Sequence, residues 1–184
     1  LQPKTEIARA SRCGQGSWTR GRFSNRVQML DPRYGNIHLD ANALEPPNEA
    51  DKPLVSKFQE IREAGLIAVV NPHGVQQEID HPKTPPTTKK NMTGIFTIET
   101  NLTPEEERSR FSIRYLLQGS ARQGKHGADA DHLFEAAKYG GRYFVTHDDR
   151  IIKKKGEIVK ILGARIEIVT LRQFMDVCIQ HGIC

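Results

Sequence analysis

An α/β sandwich built on a central, mostly parallel sheet is the fold this sequence predicts, and three observations lead to it. Short apolar runs alternate with amphipathic helical segments through most of the chain. The run at residues 66–70, LIAVV, is continuously apolar, as a strand buried on both faces should be. The stretch at residues 127–150, GADADHLFEAAKYGGRYFVTHDDR, reads as a helix, a glycine stop and a buried strand, with acidic residues at both ends of the unit.

The first strand is expected over residues 36–40, NIHLD, ending in Asp40, with a turn at Ala41, Asn42 and Ala43. After Pro46 and Pro47 a helix follows over residues 51–64, where Leu54, Val55, Phe58 and Ile61 share one face and Gly65 closes it. The apolar strand at 66–70 leads through the turn Asn71-Pro72-His73-Gly74 into a segment at 75–79 that carries Glu78 one or two turns into a helix begun by Pro72. Residues 81–90, with Pro82, Pro85 and Pro86, are expected to be an exposed loop without regular structure. Residues 91–100 fit either a strand or a packed loop.

Thr103-Pro104-Glu105-Glu106 is a helix start with an N-cap threonine, a proline at the first position and a capping-box glutamate, and the helix should end near Gly119. The next helix has Leu133, Ala136 and Ala137 on one face, Asp129 and Asp131 in its first turn, and Gly140 and Gly141 as its stop. The aromatic and β-branched run at 142–146 then ends in His147, Asp148, Asp149 and Arg150. A break at 151–156, a short helix at 157–162, a terminal strand at 165–169 and a closing helix at 171–178 complete the expectation. Residues 36–184 would form one domain and residues 1–35 a basic extension.

That extension holds Arg9, Arg12, Arg20, Arg22, Arg26 and Arg33. Its composition resembles a transit peptide, although a basic arm packed on the domain or on a partner is the preferred reading. A solvated arm is the plainer assignment than one that contacts phosphates.

With 37% apolar and 27% charged residues, the 184-residue chain has the composition of a globular protein. No apolar run approaches the roughly 20 residues that cross a bilayer. A net charge of +5 and a pI near 9.2 favour a polyanionic partner, with nucleic acid the natural choice. Cys13, Cys178 and Cys184 show neither metal-ligand spacing nor an even disulfide framework, which suits a reducing, cytoplasmic compartment.

In a parallel sheet, strand ends and helix starts share one edge, where open α/β sheets place their sites. Asp40 and Asp148 at strand ends, Asp129 at a helix start and Glu78 a short helical reach beyond a strand are therefore expected to converge. Each alone is better read as a cap or a solvated charge; four together would repel and raise one another's pKa unless a cation neutralised them. Oxygen-only ligands select hard ions, Mg²⁺ or Mn²⁺, and such an ion can activate water against a phosphodiester. His126, His132 and His147 lack zinc-ligand spacing, and His132 is expected simply to pack on its helix. Arg150, Lys153 and Lys154 follow the acids closely enough to hold a phosphate backbone, against the plainer reading of Lys153 to Lys155 as a solvated run.

The motifs IHLDANAL, VVNPHGVQQEI, ADADHLFEAAKYGG and YFVTHDD, in that order over residues 36–175, resemble the PIN domain. The resemblance implies a three-layer α/β/α sandwich and a Mg²⁺- or Mn²⁺-dependent endoribonuclease that leaves a 5′-phosphate and a 3′-hydroxyl. It implies Asp40, Glu78, Asp129 and Asp148 as catalytic metal ligands, Asp149 as a further ligand through water, and Asn42 and Thr146 as supporting residues. Asp131 is a near alternative to Asp129 or a helix cap. Ala41 stands where these domains commonly have threonine. Single-stranded RNA or an RNA loop would be the substrate. Some members are toxins paired with an antitoxin, which would bring a small protein partner and a homodimer, while RNA processing stays open. Two rivals are a PIN-like module that binds RNA or protein without cutting and a small-molecule phosphatase, for which no DxDxT-type motif exists in the chain.

Overall fold

Strand β1 (Asn36–Leu39) lies at the centre of the sheet and determines where everything else can go. The structure, a computed structural model, describes residues 29–98, 101–122, 125–163 and 166–184. On one side of β1 runs β2 (Ala68–Pro72), followed outward by β3 (Phe96–Ile98); on the other runs β4 (Gly141–Val145), followed by β5 (Glu167–Val169). All four pairings are parallel, so the sheet is wholly rather than mostly parallel.

Side chains alternate across this sheet with period two. Ile37, Leu39, Tyr143, Val145 and Val169 point into one core, where they meet Phe58 and Ile61 of α1 (Lys52–Glu63) and Leu171 and Phe174 of α7 (Leu171–Gln180). Phe144 and Ile168 point into the other core, formed with α4 (Pro104–Gln118), α5 (Gly127–Lys138) and α6 (Asp149–Leu162) through Ile113, Leu133, Ile151 and Ile158. These are the three layers of an α/β/α sandwich.

Two shorter helices, α2 (His73–Asp80) and α3 (Pro86–Met92), join β2 to β3. The latter corrects the expectation of an irregular loop at 81–90. Pro86 occupies the first turn of α3, where its missing N–H removes no helical hydrogen bond, and Met92 is buried. A second correction concerns α6, which is continuous from Asp149 through Gly156, because Ile151 and Ile158 bury the same face on both sides of the glycine. The second strand begins at Ala68 rather than residue 66, leaving Leu66 exposed. The ambiguous segment at 91–100 resolves into the end of α3 and the edge strand β3.

The capping box at Thr103 forms as expected: Glu106 N donates to Thr103 Oγ1 at 3.3 Å, and Thr103 N donates to Glu106 Oε2 at 2.7 Å. A second box, Thr170 with Gln173, starts α7. Gly141 marks a tight approach of α5 to the sheet, since a Cβ there would lie 2.5 Å from Ala136 O.

Residues 29–35 pack against the domain rather than standing apart from it. Pro32 is buried in a 3₁₀ turn, Tyr143 donates its hydroxyl to Leu30 O, and the His181 ring meets Met29 O at 3.0 Å. Asp31 is pulled down to about 2 by its hydrogen bond with Arg33. Arg9, Arg12, Arg20, Arg22 and Arg26 lie outside the described residues.

Candidate functional site

The chain leaves β1 toward β2 and β3, then crosses back to β4 on β1's other side. The carboxyl ends of β1 and β4 therefore flank the point where connections diverge, the crevice in which open α/β sheets bind ligands.

Asp40 directly follows β1 and is almost fully buried; its amide donates to Val145 O at 3.0 Å and so extends the ladder to β4. Thr146, fully buried after β4, donates its hydroxyl to Asp40 Oδ2 at 2.6 Å and accepts the amide of Asp148 at 3.0 Å. Since a hydroxyl has one proton, these two bonds fix its direction: amide to hydroxyl to carboxylate. Asn42 Oδ1 accepts the His147 amide at 3.0 Å and binds the turn after β1 to the turn after β4. Thr146 and Asn42 thus tie together the turns that follow β1 and β4.

Asp148 caps α6, accepting the Arg150 amide on Oδ1 at 2.8 Å. Asp129 lies in the first turn of α5. Its carboxyl is pushed up to about 6 by burial first, then by the charges of Asp40 and Asp148, with His132 opposing. Glu78 on α2 is also raised, by burial, with His132 opposing and Asp40 and Asp129 adding. Four carboxylates from β1, α2, α5 and the end of β4 thus occupy one electrostatic neighbourhood.

Two basic side chains enter it. The Arg150 guanidinium reaches back from α6 to both Asp129 Oδ2, at 3.2 Å, and Asp148 Oδ2, and also meets the His126 ring. His132, 1% exposed, holds Nδ1 3.7 Å from Asp40 Oδ1 and Nε2 3.9 Å from Glu78 Oε1. Both distances exceed a hydrogen bond, and neither ring nitrogen has a partner among the described residues. Burial disfavours the imidazolium, but Asp40, Glu78 and Glu135 outweigh it, so the pKa of His132 is raised. Gly74 permits this packing: a Cβ on it would lie 2.7 Å from His132 Nε2. His132 packs on its helix, and the fold also seats it between two carboxylates.

Glu135, one turn further along α5, accepts the Gly74 amide at 3.4 Å and is likewise raised by burial. Sequence reasoning missed both His132 and Glu135 as parts of this edge. The successive three-residue steps Asp129, His132, Glu135 were the available signal, since they place the three toward one side of a helix.

Other expected members stand elsewhere. Asp149 is 86% exposed at its side chain and pairs with Lys153 at 3.7 Å in solvent. Asp131 pairs with Arg114 at 2.5 Å and Arg110 at 3.6 Å, joining α5 to α4. Lys154 donates to Leu116 O on α4. Of the three side chains expected to grip a phosphate backbone, only Arg150 lies in the cluster.

The donor chemistry of the four carboxylates fits a hard divalent cation, and the orphaned nitrogens of His132 mark the pocket as polar and incompletely satisfied. In the described arrangement no three His, Cys, Asp or Glu side chains converge closely enough to hold an ion. Arg150, paired with both Asp129 and Asp148, supplies positive charge among the residues that would hold such an ion.

Fold and site together define an open α/β protein with acidic side chains along the carboxyl edge of its sheet, at the topological switch point. No family model, no curated protein and no solved structure matches the chain. Among the described residues no helix is long and apolar enough to cross a membrane.

Proposed function

We propose that this protein is a Mg²⁺- or Mn²⁺-dependent endoribonuclease of the PIN type. The observation that carries the reading is that Asp40, Glu78, Asp129 and Asp148 lie along one sheet edge near enough to act on one another's charge, with Asp129 raised to about 6 by burial first and then by Asp40 and Asp148. Such mutual repulsion is relieved by a cation. The motif order along residues 36–175 supports the same reading, as does a net charge of +5 suited to a polyanion.

A divalent ion, when bound, supplies a lowered pKa for a water and charge stabilisation for the scissile phosphodiester. The chain's own residues do the rest. Thr146 holds Asp40 by its hydroxyl and the backbone at Asp148 by its oxygen, so the two acids keep a set separation. Asp148 and Asp129 sit at the starts of α6 and α5, whose N-terminal dipoles favour negative charge, both carboxylate and phosphate. His132 stands between Asp40 and Glu78, whose charges raise its pKa against the opposing effect of burial.

A second reading, a module that binds RNA or protein without cutting, is favoured by one observation: Arg150 already neutralises Asp129 and Asp148. The small protein partner, the homodimer and the cytoplasmic location rest on the resemblance and on cysteine usage alone.

The test is to incubate the protein with labelled single-stranded RNA with and without Mn²⁺, beside Asp148→Asn. The nuclease reading expects Mn²⁺-dependent cleavage that Asp148→Asn abolishes. RNA bound but left intact under all conditions selects the non-cutting module, and hydrolysis of a generic phosphate ester without RNA cleavage selects a phosphatase.

A further inference from the structure

Helix α4 turns its buried residues Ile113 and Leu117 into the core and its aromatic residues outward. Phe111 is 67% exposed and Tyr115 74% exposed. At a spacing of four they stand one turn apart on the same face. A lone exposed ring is ordinary; two in register, lining one hollow of about 710 Å³ with Gln118 and Lys125, form a surface built of rings.

The charge around this surface is positive. Arg114 and Lys125 line the same hollow with Asp131, and Arg108, Arg110 and Arg114 line the adjoining one with Phe111 and Glu107, so that cations outnumber acids in both. Arg110 and Arg114 share Asp131, whereas Arg108 and Lys125 form no ion pair among the described residues. The hollow also borders a groove that reaches part of the candidate site. It shares Ala128 and Asp131 with a second groove of about 530 Å³ that reaches Glu78 and His132.

We propose that Phe111 and Tyr115 form a stacking platform for the bases of single-stranded RNA, which runs from the acidic pocket along the groove over α5 and α4. Stacking needs only the π-face that every base presents, and flanking cations follow the backbone, so exposed rings amid arginine and lysine suit a strand with unpaired bases. A duplex, with its bases stacked inside, would leave the rings without a partner. The identity of the polymer rests on the ribonuclease reading; the platform itself rests on the rings, the charge and the adjoining grooves.

The experiment measures binding of a fluorescently labelled single-stranded RNA of mixed sequence to the full chain by anisotropy without metal. The variants are Phe111→Ala/Tyr115→Ala and the ring-preserving Phe111→Tyr/Tyr115→Phe, with circular dichroism and sedimentation velocity on each. The alanine pair should weaken binding by roughly tenfold or more, while the ring-preserving pair retains it. RNA binding with that loss but no cleavage would remove the nuclease reading and leave the platform standing. Equal affinity in the alanine pair and the wild type, or no RNA binding by the wild type, would overturn the platform even if metal-dependent cleavage were found. A wild-type dimer that the alanine pair converts to monomers would also overturn it, by showing that a second copy covers the rings.

Discussion

Arg150 and Asp129, twenty-one residues apart in sequence, are joined at 3.2 Å across the carboxyl edge of the sheet. Because the same guanidinium also grips Asp148, one side chain holds together the starts of two helices that bring like charges face to face. A divalent ion held by those acids would have to compete with it. Arg150→Gln is therefore expected to bind Mn²⁺ about five- to tenfold more tightly, the scale expected for removing a partly solvated cation from among carboxylates. It should also melt at a lower temperature than the wild type without metal. Isothermal titration and thermal melts check both; weaker Mn²⁺ binding in the variant would mean that Arg150 assists the ion rather than stands in for it.

Thr146 is the hydrogen-bonding hinge of the edge. Thr146→Val keeps the shape but leaves the Asp148 amide and the Asp40 carboxylate without their shared partner. A loss of about 1–3 kcal/mol in urea-denaturation stability is expected, while Thr146→Ser should recover most of it. A neutral valine variant would show that water replaces the hydroxyl.

His38, in β1, is 1% exposed with neither ring nitrogen partnered among the described residues, and burial pushes its pKa down to about 4. An unfolded histidine takes up its proton near pH 6.5. Between these values the unfolded chain binds more protons, so the contribution of His38 is full above about pH 6.5 and is lost as pH falls toward 4. Asp129, raised to about 6, works in the opposite direction, gaining stability as pH falls through the same window. The measurement is thus the difference between wild type and His38→Leu, which should shrink the acid destabilisation by roughly 1.4 kcal/mol per pH unit at its steepest. Parallel pH profiles would contradict a neutral buried imidazole.

Gly141→Ala should cost about 1–3 kcal/mol. Its methyl would press on Ala136 O at 2.5 Å and on His38 Cδ2 at 2.7 Å, between helix backbone and a buried ring. Gly65→Ala, with open space around its Cβ but φ at +69°, serves as the control for backbone strain alone. Equal losses in the two would assign the effect at Gly141 to something other than crowding.

By itself, the sequence determined what local chemistry determines. Apolar runs define the buried strands, Thr103 and Glu106 start α4, and acids placed just after strands and in the first turn of a helix must share an edge once the sheet is parallel. Tertiary structure decided matters that depend on which face meets what. Asp129 turns inward and Asp131 toward Arg114 because adjacent odd positions on a helix diverge by 200°. Asp148 caps α6 while Asp149, inside its first turn, faces water. His132 gains its place between Asp40 and Glu78 only because α2 and α5 come together at Gly74, a contact between segments about 60 residues apart that no local pattern encodes. Arg150, by its sequence a candidate to hold phosphate, pairs with Asp129 for the same reason: charges choose partners through space, and only the folded chain sets those distances.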